Sequence, residues 1–312
     1  MIQIDLITGF LGSGKTTFIR KYAKYLIDKG KNIGILENDF GAVNIDAMLL
    51  QDILGENCTL EMVAGGCDDD CHRRIFKTKL IALGMCGYDR ILVEPSGIFD
   101  MDEFFDVLHE DPLDRWYEIG NVITIIDAGI DKNLSESSRY ILASQAAQAG
   151  SIIFSHTQEN DENTLNSTID FVDSSLEILH CKKPSGQIII AKNWDELSES
   201  DYDSIMNSGY HTADYTKLWS DTKETYDTLY FMNRDFSEEF LKQTCSDILS
   251  DDKCGKVIRI KGFQKLSDGS WISINATHQY TDIRPIENGQ AILIVIGEGL
   301  NKEVIESYWG VL

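Results

Sequence analysis

The stretch Gly9-Phe10-Leu11-Gly12-Ser13-Gly14-Lys15-Thr16 constrains this chain more than any other. It fits G-x-x-x-x-G-K-[ST], the phosphate-binding P-loop. Ile2-Gln3-Ile4-Asp5-Leu6-Ile7 before it reads as a short strand. Phe18, Ile19, Tyr22, Ala23, Leu26 and Ile27 after it are apolar at helical spacing. A loop at such a strand-to-helix turn curls until several backbone N–H groups face phosphate oxygens. Gly12 and Gly14 permit the curl, and the new helix adds its positive end. Lys15 is expected to reach the β- and γ-phosphates, and the Thr16 hydroxyl to ligate Mg²⁺. Gly12, Ser13, Gly14, Lys15, Thr16 and Thr17 form the expected cradle for a nucleoside triphosphate.

Further short apolar runs follow. Ile33–Leu36, Cys58–Met62, Ile91–Val93, Val122–Ile126, Ile152–Phe154 and Ile188–Ile190 read as strands. Helical patterns lie between them, clearest at Leu165, Ile169, Val172, Leu176 and Leu179. Such alternation implies an α/β domain, with a mostly parallel sheet covered on both faces and ligand residues where the strands end. Residues 1–195 form this expected P-loop domain. Ser, Asp, Thr and Tyr dominate from Asn193 onward, so 196–225 reads as a polar connector with some short helix. Residues 226–312 read as a smaller α+β domain. Strands are expected at Thr228–Phe231, Val257–Ile260 and 291–296, a turn at Ser267-Asp268-Gly269, and helices at Phe240–Leu249 and Lys302–Tyr308.

Net charge is −23 over 312 residues. That balance argues against nucleic acid and against anionic membrane surfaces as partners, since both are bound through clustered Lys and Arg. No apolar run approaches the ~20 residues of a membrane helix. The N-terminal apolar stretch runs directly into the P-loop, so no signal peptide is read there. Seven cysteines, an odd number scattered through a large nucleotide-binding chain, fit reduced thiols and a cytoplasmic location.

Cys67, Cys71 and His72 are the sharpest remaining cluster. Thiolate and imidazole suit Zn²⁺, Co²⁺ or Ni²⁺, and Asp69 or Asp70 would complete the set. Positions four apart share a helix face, so Cys67 and Cys71 can converge on one ion if the segment begins a helix. A redox pair, a helix cap made by the Asp run, or idle thiols remain alternatives. Glu94 closes a strand beside the expected Mg²⁺, where a carboxylate commonly holds the ion or its water. Glu37 and Asp39 fit a loop that orders around Mg²⁺ or a second metal.

The chain resembles the CobW family of P-loop GTPases, relatives of the GTPases that help insert nickel into urease and hydrogenase. The residues that carry the resemblance are Gly9 to Thr17, Glu37-Asn38-Asp39-Phe40-Gly41 with Ile45-Asp46, Gly65-Gly66-Cys67, Glu94-Pro95-Ser96-Gly97 and Ile126-Asp127-Ala128. Arg259-Ile260-Lys261-Gly262-Phe263 resembles part of the family's second domain. The resemblance implies a nucleoside triphosphatase, with Lys15 and Glu94 as its catalytic residues, that delivers a transition metal to a client protein or cofactor pathway. The sequence departs from the family pattern in three places. The metal motif Cys-x-Cys-Cys keeps only Cys67, with Asp69 and Asp70 at the other two positions. Ala42 replaces an acidic residue. The guanine-reading motif becomes Ser155-His156-Thr157-Gln158. His156 and Gln158 are thus the implied base contacts, and a neutral Gln158 reads guanine less strongly than Asp, which leaves ATP open beside GTP. A non-catalytic, nucleotide-gated binding protein with a Cys-pair thiol sensor is the alternative of a different class.

Overall fold

The computed structural model describes residues 1–39, 46–64, 69–97, 101–181, 183–212, 226–232, 236–287, 289 and 291–309, with backbone alone at 39, 46–48, 64, 69, 70, 102 and 103. The chain divides into two compact units, Met1–Lys217 and Leu218–Leu312. The boundary falls within the segment that the sequence reads as a connector.

In the first unit seven parallel strands form one sheet. They are β1 (Ile2–Thr8), β2 (Ile33–Asp39), β3 (Cys58–Ala64), β4 (Arg90–Pro95), β5 (Tyr117–Asp127), β6 (Ser151–Ser155) and β7 (Ile188–Ile190), in the order β3-β2-β4-β1-β5-β6-β7. The inner strands are mostly buried because helices cover both faces; β6 is buried at every residue. Helix α1 (Lys15–Asp28) lays Phe18, Ile19, Tyr22 and Leu26 against Ile7, Ile35 and Ile123. Burying each such side chain contributes roughly 1.5–3 kcal/mol. Helix α2 (Asp69–Gly84) follows β3. Helices α3 (Met101–Leu108) and α4 (Leu113–Trp116) follow β4, α5 (Glu136–Gln148) follows β5, and α6 (Glu162–Leu176) follows β6.

A polar knot anchors the sheet. Asp5, fully buried on β1, accepts from Arg90 Nη1 at 2.6 Å, from Asn121 Nδ2 at 2.9 Å and from Tyr22 Oη at 3.1 Å. Burial pushes the Asp5 carboxyl up from its ordinary value, against the pull of the Arg90 guanidinium. Asn121 also donates to the Met206 carbonyl and accepts from Gly209 N–H. These bonds fasten helix α7 (Glu199–Met206), whose Ile205 enters the core beside α1. The polar composition that reads as connector therefore includes a packed helix. Its Ser198 and Asp201 form a capping box.

The second unit is a five-stranded antiparallel sheet, β11-β10-β9-β12-β8. Its strands are β8 (Asp227–Met232), β9 (Lys256–Lys265), β10 (Trp271–Ala276), β11 (Thr281–Ile286) and β12 (Ile292–Glu298). Helices α8 (Glu238–Ser250) and α9 (Lys302–Tyr308) bring Leu241, Cys245, Ile248 and Ile305 into one core with Ile260, Ile274, Leu293 and Val295. Among the described residues no helix is long and apolar enough to cross a membrane.

Candidate functional site

The loop between β1 and α1 carries Gly9, Gly12 and Gly14 at φ 147°, 81° and 94°, a region that L side chains avoid. A Cβ on Gly9 would stand 2.2 Å from the Ile125 carbonyl, so this turn also requires glycine for space. Gly14 is the N-cap of α1 and offers no side chain to the first turn. Ser135, Asp161 and Ser198 cap α5, α6 and α7 with side-chain oxygens. The start of α1 thus lacks a side-chain cap, the arrangement in which a helix N-terminus can face an anion. Lys15 folds back over the loop, donating to the Gly9 carbonyl at 3.0 Å. Thr17, by contrast, is exposed on α1.

Thr16 Oγ1 donates to Glu94 Oε1 at 2.8 Å. Glu94 is the penultimate residue of β4 and is directly beside Glu37 of β2 in the parallel register. Both carboxylates are buried, at 7% and 2% exposure. Two buried carboxylates next to a threonine hydroxyl form a hard-oxygen set of the kind that suits Mg²⁺. The segment after Glu94 touches the P-loop, since a Cβ on Gly97 would lie 2.7 Å from Leu11 N.

The side where the sequence places the base contacts is built from the ends of β5, β6 and β7. His156, at φ 53°, directs Nδ1–H to Asp127 Oδ2 at 3.0 Å, and Asp127 Oδ1 accepts from Gly129 N–H at 2.8 Å. Gln158 is exposed on the same turn, its amide 3.4 Å from Glu159. Trp194, after β7, donates to the Phe154 carbonyl at 2.9 Å and sets its ring edge over Gly14, 3.2 Å from where a Cβ would stand. Trp194, after β7, and Ser155, at the end of β6, therefore stand beside the N-cap of α1. Sequence reasoning gave no role to Asp127 or Trp194. An acid at a strand end signals Asp127, whereas Trp194 in a polar run carries no periodic signal.

Most of the expected transition-metal side chains fall outside what the structure describes. Cys67 lies outside the described residues, and the side chains of Asp39, Asp69 and Asp70 are likewise not described. Cys71 is half-buried in the first turn of α2. His72 points inward at 1% exposure, with Nε2 2.6 Å from Asn38 Oδ1. Among the described residues no three His, Cys, Asp or Glu side chains converge as a metal set. Burial pushes the thiols of Cys58 and Cys254 up to about 11 and that of Cys245 to about 12, which keeps them protonated and inert at neutral pH.

A glycine loop before a helix, at the carboxyl ends of a parallel sheet, with a hydroxyl and carboxylates beside it, defines a P-loop nucleotide-binding protein. Residues 3–178 match the family described as CobW/HypB/UreG, nucleotide-binding domain, and the chain belongs to that family. It is 31% identical over 154 residues to the zinc chaperone YeiR of Escherichia coli K12, covering 49% of this chain and 46% of that protein. To the zinc chaperone YjiA of the same organism it is 30% identical over 168 residues, 50% and 49% of the two chains. The chain thus spans about half the length of these two relatives. With the zinc-regulated GTPase metalloprotein activator 1 of Schizosaccharomyces pombe it shares 23% identity over 96% of this chain and 83% of that protein.

Proposed function

We propose that this protein binds and slowly hydrolyses GTP with Mg²⁺, and uses that cycle to hold and hand over a zinc ion to a client protein. The observation that carries the reading is the Thr16–Glu94 bond in a buried pair of carboxylates at the open end of a P-loop. Thr16, Glu94 and Glu37 would hold Mg²⁺, which when bound neutralises charge on the phosphate oxygens. Lys15 contributes a fixed cation at the loop, and Glu94 orients the Thr16 hydroxyl by accepting its proton in a hydrogen bond. The contact of Gly97 with Leu11 gives the P-loop a mechanical path to the segment after Glu94.

Zinc as cargo is supported by relatives named as zinc chaperones and by the thiols at Cys67 and Cys71. Asp69 or Asp70 would complete that set, and Asp39 lies on the strand beside it. At the base, His156 and Gln158 read guanine with less selectivity than a carboxylate would, so ATP competes. Phosphate release from GTP, together with zinc analysis of reduced protein with and without nucleotide, tests the reading. Slow turnover and one tightly held zinc are expected. Nucleotide binding with neither turnover nor zinc would overturn it in favour of a nucleotide-gated binding protein.

A further inference from the structure

Asn38 stands between the two halves of this reading. It lies on β2, which runs between β3 and β4. Its register partners are Val63, shortly before the Gly65-Gly66-Cys67 segment, and Pro95, next after Glu94. Its carbonyl accepts from Ser96 N–H at 2.9 Å. Its side-chain Oδ1 is 2.6 Å from His72 Nε2, across to the first turn of α2. An amide oxygen only accepts, so the imidazole must carry its proton on Nε2. That nitrogen is then closed to a metal for as long as the bond stands.

Asn38 and His72 are each 1% exposed. Breaking a bond between two such groups leaves a buried donor and a buried acceptor unsatisfied, which makes intermediate positions unfavourable. Asn38 Nδ2 is a second buried donor, with no acceptor among the described residues. The amide is therefore held on one side and open on the other. Ser96 and the end of β2 both lie within one bond of this link, so a displacement there acts on it directly.

We infer that Asn38 and His72 are positioning residues that couple the nucleotide site to the metal segment: their hydrogen bond transmits the state of the Glu94–Ser96 end to the first turn of α2, where Cys71 sits. This rests on the metal-delivery reading. It assigns His72 to the link, leaving the soft ligands to Cys67, Cys71 and the intervening carboxylates.

The test measures the Zn²⁺ dissociation constant of reduced protein by competition with a chromophoric chelator, in GDP and in a non-hydrolysable GTP analogue. A coupled pair of sites gives a ratio of about 5–150 between the two states. That ratio should fall to within about twofold in His72→Phe and in Asn38→Leu, which remove the bond. His72→Gln should restore the ratio, because its amide N–H still donates to Asn38 although it is a poor zinc ligand. Were His72 a ligand, Phe and Gln would weaken zinc alike in both states and leave the ratio intact, which overturns the inference. A wild-type ratio of one also overturns it while leaving zinc delivery standing. Absence of zinc binding in wild type removes both. Where the variants do not fold, the His72 Nε2–H resonance of wild-type protein decides. Protection in one nucleotide state and exchange in the other supports the link, and equal protection in both rejects it.

Discussion

The P-loop end of this site and the end proposed for the base are made from different materials. At the phosphate end, Lys15, Thr16, Glu94 and Glu37 come from the start of a helix and the ends of two adjacent strands, and all four are buried. At the base end, His156 is half-buried and Gln158 exposed, on a turn held by Asp127 and by the amide of Asn160, which donates to the His156 carbonyl at 2.9 Å. Groups on regular elements keep their geometry through packing, whereas groups on a turn change identity with little effect on the fold. Accordingly the sequence follows the family pattern at the phosphates and departs from it at the base.

Truncation of Lys15 should have the largest effect. Lys15→Ala removes a cation facing the phosphates, a loss of about 2–5 kcal/mol for a desolvated charge pair. GTP affinity measured by calorimetry should fall by roughly 30-fold to several thousand-fold. Near-normal affinity would end the P-loop assignment. Glu94→Gln keeps shape but removes charge. Single-turnover GTP cleavage should slow by roughly 10²–10³-fold, with a smaller change in binding. If instead binding alone were lost, Glu94 would serve the ground state only.

Changes at the base end should be smaller and should alter preference more than rate. Gln158→Asp should shift the GTP-to-ATP ratio of kcat/KM toward GTP by about 1–3 kcal/mol, the scale of one good base contact. A wild-type enzyme that already rejects ATP by more than this would place base reading elsewhere. The smallest effect concerns Lys192, in the loop that carries Trp194. Lys192 Nζ donates to both oxygens of Asp201 at 2.8 Å. That contact, with help from Ser198, lowers the Asp201 carboxyl to about 2. The folded value is below the unfolded one, so this stabilisation is present above the unfolded value near 4 and disappears as pH falls through 2. Lys192→Ala should lower stability by roughly 0.2–1 kcal/mol at neutral pH. The gap from wild type in thermal melts should close near pH 2. A gap independent of pH would assign the lysine a packing role.

Much of the first unit is legible in the sequence because a buried parallel strand is a short apolar run and an amphipathic helix has a period. Ile33–Leu36 and Ile152–Phe154 lie within β2 and β6. Helix α5 escapes that reading. Its Tyr140, Leu142, Ala143, Gln145 and Ala147 are buried on every side, and a helix covered all round has no stripe to detect. Strand β11, with Arg284 and Pro285 in its middle, lacks alternation because it is the edge of its sheet. The motifs locate Lys15, Thr16 and Glu94 because backbone geometry fixes which residue type each position takes. The Asn38–His72 bond is invisible in sequence. It joins residues 34 positions apart through a helix that must first pack on its sheet.

The order of the strands has a geographic consequence. β3, after which Cys67 follows in sequence, is the margin of its sheet, with β2 as its strand neighbour among the described residues. β6, which leads into His156, lies five strands inland, roughly 24 Å away at the usual strand spacing. A metal held after β3 and a base held after β6 would therefore occupy well-separated stretches of one sheet edge.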